Sequence, residues 1–554
     1  FRMGAVATTI YRIGGVILQK ERILVSSENR VLVAYTLLDA HSATTLRLRP
    51  FLAFRSVDKL TEKNNVARTD YEEVDNGVAF CMYEGYPNLV MQTNKQAQWV
   101  SEPNWYDGVE YSKEAERGYA FKEDLFVPGY FELSIKKGET VVFSAGTNAI
   151  SSRKLKRLFE DEKETRTERT DFISCLKNSA LQFYNKLSDG SYLLAGAPWF
   201  KYRARDQFVA LPGATLYADD DTLFDKVMDR AIVALREFME NKPATTHLSE
   251  VDSPDVLLWA IWAIQQYAIK KGAEVAATKY GQLVFDIVNY IRRQQHPNLF
   301  VHDNGLLYVN GTEKPATWMN AVENGWPITP RTGYVVEINA LWYNALKFAA
   351  ELATAMKVDN QADLFDYQAG ISGQSLVGKF WNGTYLYDYV DGDYCNKEVR
   401  PNMIWAVGLP FSPLDKRQQK AVVDICTKEL LTPRGLRSLS PKSGHYRPMY
   451  YGNQVERDRS LHNGVVWPST IAAYSRAYMQ VYKHSGVAFM ERALIGYEQE
   501  MSELCIGTLN EFYDGNPPYK GHGGMSAASS VASVISILDT LKKYNNEQGK
   551  EDQQ

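Results

Sequence analysis

YVVEINALWYNALKFAAELATAM (334–356) and, two residues later, DNQADLFDYQAGISGQSLVGKF (359–380) carry apolar residues at helical spacing and follow one another as a pair. Runs of the same kind cover 170–186, 206–217, 221–240, 253–271, 274–295, 400–409, 415–430, 464–483, 487–504 and 525–544, which brings the total to about twelve helices. The loops between the pairs are rich in Trp, Gly, Pro, Asp and Asn. Loops held by a rigid helical scaffold are where binding and chemistry concentrate. Paired helices in this number, with such loops at one end, imply an (α/α)6 toroid. No repeat is visible at the level of residue identity, so this expectation rests on helix count and loop character.

Upstream of the helices the pattern changes. VILQKERILVSS (16–27), RVLVAYTLLDA (30–40), TTLRLRPFLAF (44–54) and ETVVFSAG (139–146) are β-branched and aromatic runs, punctuated by turn pairs such as Asn76-Gly77 and Lys137-Gly138. They imply an antiparallel β-sandwich. The charged run from Ser151 to Arg169 reads as a solvated linker helix. The expected architecture is therefore multidomain, β followed by α: a sandwich over 1–150, a linker region over 151–185 and a helical toroid over 186–554. The chain begins at Phe1 and reads as strand from about Ile10, so the sandwich is expected to lack its start, and any signal peptide with it.

Composition narrows the class of function. The 554 residues are 45% hydrophobic and 23% charged with a formal net charge of −4, a balance without the basic footprint that nucleic acid or an anionic membrane requires. A neutral polymer suits it better. The 34 Tyr and 11 Trp offer flat amphipathic rings on which the C–H faces of sugars stack, although most rings in a chain this size serve its core. Cys81, Cys175, Cys395, Cys426 and Cys505 form no CxxC pair, which speaks against a disulfide framework or zinc cluster and for a reducing, cytoplasmic setting.

Four polar aromatic clusters carry the candidate chemistry. In PWFKYRARDQFVALPG (198–213), Arg205 and Asp206 stand at a helix start beside Trp199, where they either grip hydroxyls or, in the blander reading, Asp206 merely caps the helix. In TWMNAVENGWPITPRTGYVVEINALWYNAL (317–346), Trp318, Trp326, Glu337, Asn339 and Trp342 surround a tight turn and a helix opening. Glu337 shares a helix face with Leu341, and because a buried carboxylate without a partner is expensive, it is expected to face a cavity. RSLHNGVVWPS (459–469) holds His462 and Trp467, the histidine being either a ligand to hydroxyl or carboxylate or simply structural. In GTLNEFYDGNPPYKGHGG (507–524), Glu511 lies among aromatics and glycines, a suitable place for a water-activating base.

VEINALWYNAL (336–346), WP after HNG (462–468) and NEFYDG (510–515) together resemble the bacterial and archaeal type of glycogen debranching enzyme, in its amylo-α-1,6-glucosidase part, which is related in fold to glucoamylases. TTLRLRPFLAFRSVDKLTEKN (44–64) resembles that family's N-terminal domain. The resemblance implies inverting release of glucose from α-1,6 branch points of glycogen or another α-glucan, with no cofactor or metal. It implies Glu511 as base, and a glucose subsite of Trp199, Arg205, Asp206, Asp252, Trp318, Arg331, His462 and Trp467. Family members carry Asp in T-W-M-D, whereas this chain has Thr317-Trp318-Met319-Asn320. An amide has no acidic proton to give, so Asn320 occupies the general acid's place without its function. Three explanations follow: another carboxylate serves, with Glu337 and Glu323 nearest in sequence; the Asn is an engineered inactivation; or the chain binds glucan with little hydrolysis. A different toroid glucosidase or a phosphorylase is the remaining alternative, and the intact Asn510-Glu511 segment argues against the latter.

Overall fold

The computed structural model describes residues 1–551 apart from positions 27, 58, 117, 118, 198 and 505, so Pro198 at the head of the first cluster and Cys505 lie outside the described residues. The chain divides into two compact units, Phe1–Ser174 and Cys175–Gln554. Among the described residues, no helix is long and apolar enough to cross a membrane.

In the first unit, eight of the described strands form one antiparallel sheet and three form another. Val78, Phe80 and Met91 of the large sheet meet Leu48, Phe126 and Phe131 of the small one in a shared core, which makes the pair a sandwich. On the other face of the large sheet, Leu32, Ala34 and Val142 pack with Leu155 and Phe159 of the helix Leu155–Glu164. The run read as a solvated linker therefore has one face in a core. Leu155 and Phe159 are four apart and share a helix face, while Lys156, Arg157, Glu160 and Asp161 stay in solvent.

In the second unit, the twelve helical runs read from the sequence all contain a helix, and a short one at Gln454–Ser460 is additional, nucleated by a capping box between Asn453 and Glu456. Alternate helices form an inner ring. Ala204–Ala214 packs on Val256–Lys271, which packs on Val336–Ala355, then Trp405–Gly408, Ile471–Tyr482 and Ala528–Glu551, and the last returns to the first. Residues 256–268 are buried without exception, as a helix enclosed by neighbours on both sides must be. Closure of the ring depends on Gly213. A Cβ there would stand 2.2 Å from the carbonyl oxygen of Ala532, so only glycine admits the backbone of the last helix. This is the (α/α)6 toroid that the helix count implied.

Candidate active site

Five of the six inner helices deliver their N-terminal ends to one place. Arg205 and Asp206 open Ala204–Ala214, Trp259 lies in the first turn of Val256–Lys271, Trp405 begins its helix, and Ser469, Thr470 and Ala527 immediately precede two others. With Trp318 and Asn320 from the 317–320 turn, Trp467 from a short strand, and Glu511, they line a cavity of about 90 Å3. That is small beside the roughly 300–1,000 Å3 of drug-sized pockets, the scale of one small ligand. Residues from four separated clusters thus converge on a single hole walled by Trp259, Trp318, Trp405 and Trp467.

Glu511 is held by its own loop. Its N–H donates to the Gly524 carbonyl at 3.0 Å, and the Gly524 N–H donates to Glu511 Oε2 at 2.9 Å. Gly523, at φ +71°, leaves the room this requires, since a Cβ would come within 2.3 Å of Glu511 Oε2. Burial raises the Glu511 carboxyl to about 7, against the Gly524 hydrogen bond and with help from the charge on Asp206. Burial likewise raises Asp206, opposed by Arg203 and Arg205. Asp206 and Glu511 are the carboxylates among the described residues that line this cavity.

Arg205 is fixed from behind. Its Nε and Nη2 both donate at 2.8 Å to Asp255, whose Oδ2 also accepts from Trp259 Nε1 at 3.0 Å. Asp255 and not Asp252 is thus the acidic partner of Arg205: Asp252 is exposed, and its backbone carbonyl accepts from Asn298. A signal was present, because Asp255 and Trp259 are four apart and share the face turned to Arg205. The carboxylate makes no cap to its own helix, being committed to the guanidinium.

Glu337 does not reach the cavity. It is buried with both oxygens taken by Arg331, Oε2 at 2.7 Å from Nη2. Arg331 also donates to both oxygens of Asp388 at 2.8 Å, so the expensive carboxylate found a guanidinium six residues upstream in place of a cavity. Neither Glu337 nor Arg331 lines the sugar-sized pocket, and neither does Glu323, which is paired with Arg459 at 2.9 Å. Their cluster acts at one remove. Asn402 Nδ2 donates to Asp388 at 2.8 Å, and its Oδ1 accepts from Trp318 Nε1 at 2.9 Å, which fixes one wall of the cavity.

His462 lies behind that wall, its ring stacked on Trp467 at 5.4 Å and edge-on to Trp318 at 5.3 Å. Burial, with Arg400, Arg331 and Arg205 nearby, lowers it to about 3, so it is a neutral packing ring. Trp199 is exposed and outside the cavity, whose lining takes the adjacent Phe200. Asn339 and Trp342 are structural: Asn339 bonds the backbone of Leu307 and Val335, and Trp342 bonds Gly305. Phe200, Trp259 and Trp405 join the site without having been singled out in the sequence.

Comparison with known proteins adds an independent line. The family model described as amylo-alpha-1,6-glucosidase matches residues 173–536, and that described as glycogen debranching enzyme N terminal matches residues 1–142. The glycogen debranching enzyme of Saccharomyces cerevisiae is 26% identical over 231 residues, which cover 33% of this chain and 15% of the yeast protein. The match thus spans about one seventh of that curated relative's length. A bacterial glucoamylase complexed with acarbose superposes with a TM-score of 0.57 over 98% of this chain and 86% of its own, at 12% identity, and shares the fold.

Proposed function

The chain belongs to the amylo-alpha-1,6-glucosidase family, and from that premise we propose that it releases single glucose units from α-1,6 branch points of glycogen or a related α-glucan, with inversion at the anomeric carbon. The observation that carries this reading is that Glu511 and Asn320, far apart in sequence, line one sugar-sized cavity with Arg205, Asp206 and four tryptophans. Asp206 accepts from the hydroxyls of the terminal glucose and Arg205 donates to them through Nη1, the guanidinium nitrogen that Asp255 does not engage. The indole faces take the sugar's C–H faces and exclude water.

Inversion needs a base to activate water on one side of the ring and an acid on the other. Glu511 is the base. With Oε2 held by the Gly524 amide, its other oxygen is left to take the proton of the attacking water. Asn320 donates an amide N–H to the departing oxygen and orients it but transfers no proton, so that oxygen draws its proton from solvent. The missing acid costs on the order of 10²–10⁴ in rate. The asparagine favours a second reading, a glucan-binding protein with little turnover. The cytoplasm is the setting we assign.

The test uses a singly branched maltooligosaccharide and proton NMR of the product at early times. Release of β-glucose by the parent, abolished in Glu511→Gln, is expected. Initial α-glucose, or undiminished release by Glu511→Gln, overturns the mechanism; retention of the oligosaccharide without any turnover favours the binding protein.

A further inference from the structure

The Cys175–Gln554 unit has a second and much larger concavity, a groove of about 1570 Å3 that shares no lining residue with the glucose pocket. Its volume exceeds the roughly 300–1,000 Å3 that holds a compact small molecule, so it suits an extended ligand. One side is the segment 385–390. Leu386, Asp388 and Val390 are buried there, while Tyr385, Tyr387 and Tyr389 are half-buried and line the groove. The segment enters the strand Tyr389–Asp391, and all three phenol rings belong to the groove's lining. Trp326, 59% exposed on the hairpin beyond Asn320, and Tyr394, 57% exposed with its ring 5.8 Å from that of Tyr389, add two more rings to the lining.

Most of the groove's charges are neutralised locally. Glu323 holds Arg459 at 2.9 Å, Glu398 holds Arg400 at 2.6 Å and His445 at 3.0 Å, and Glu429 holds Lys442 at 2.5 Å. Such pairs present hydrogen-bonding edges with little net field, which disfavours an ionic ligand and suits a neutral one with many hydroxyls. The lining rings supply the apolar half of the match, since sugars carry C–H faces between their hydroxyls.

We propose that this groove binds a linear run of α-1,4-linked glucose, the chain from which a branch departs, as a polymer-anchoring site separate from the glucose pocket. The assignment rests on the reading of the substrate as an α-glucan. Its effect is to hold the polymer, which raises the effective concentration of branch ends at the pocket without touching the reacting bond.

Affinity electrophoresis in gels containing glycogen reads the groove, and calorimetric binding of deoxynojirimycin, a glucose-sized glucosidase inhibitor, reads the pocket. In the double variant Trp326→Ala/Tyr394→Ala, whose positions are both exposed, glycogen affinity should fall about tenfold or more, equivalent to about 1.4 kcal/mol, while deoxynojirimycin binding is kept. Tyr387→Ser is an independent variant in the groove's lining and should act in the same direction. Asp206→Ala should do the reverse, losing the inhibitor and keeping glycogen. Unchanged glycogen affinity in both groove variants, or its loss through Asp206→Ala alone, overturns the proposal. Failure of the parent to bind the inhibitor counts against the glucose pocket; glycogen affinity that still depends on Trp326 and Tyr394 would then uphold the groove by itself.

Discussion

Replacing Asn320 by Asp should turn a slow site into a faster one. Asn320 sits at the exposed edge of the cavity, and the substitution changes one terminal atom, so its cost to the fold is expected to stay within about 0.5 kcal/mol. A positioned general acid contributes about 10²–10⁴ in rate, or roughly 2.7–5.5 kcal/mol at about 1.36 kcal/mol per decade. The low end applies here. The productive form needs the introduced carboxyl protonated while Glu511, raised to about 7, is ionised. An ordinary aspartic acid near about 3.9 loses its proton first, so that form is a minority unless the Glu511 charge lifts its new neighbour. We therefore expect a gain of about 100-fold in glucose release from a singly branched maltooligosaccharide, with a bell-shaped optimum near about pH 5.5. The parent should instead show a single limb that rises with pH. Equal rates for parent and variant across this range, with no acidic optimum, would refute the assignment of Asn320 to the acid's place.

The parent's turnover should rise through about pH 7 as Glu511 ionises, which a pH profile of kcat/KM on the same substrate checks. The same residue affects stability in the opposite sense: its folded pKa of about 7 lies above the ordinary 4.5, so its contribution is fully present below about 4.5 and is lost as pH rises through about 7. Glu511→Gln should accordingly match the parent at pH 4 and exceed it by about 3 kcal/mol at pH 8 in urea unfolding. Arg331→Met would leave Glu337 and Asp388 buried without their guanidinium and should cost about 3–5 kcal/mol, read as a lower urea midpoint. Gly213→Ala should cost about 1–3 kcal/mol or more, because its methyl group would meet the Ala532 carbonyl; an unshifted melting temperature would contradict the closed ring.

Where periodicity governs, the sequence could be read directly. Helix pairs such as 334–356 and 359–380, and the alternating runs of the sandwich, declare themselves because burial of one face repeats every 3.6 or two residues. Glu511, Asp206, Trp318 and Trp467 were also legible, being polar or aromatic groups in clusters at or near helix starts. Glu337 is misplaced by sequence because the cost of burying a carboxylate does not say which group stands opposite it, and that group is Arg331. Asp252 is implied by the resemblance alone; Asp255 lies three residues on at the same helix entrance, and only the position of Arg205 tells the two apart.

Taken alone, the sequence determined the β-then-α order, the number of helices, the motifs that mark the family and the presence of an amide where the family has an acid. Each is a local property, fixed by side-chain type and spacing. Tertiary structure decided which carboxylates face a cavity and which are bound to guanidinium groups, which tryptophans form walls, and which tyrosines line a groove. Those are properties of pairs and clusters brought together by ring closure across hundreds of residues, and no local periodicity encodes which side chain will stand opposite another.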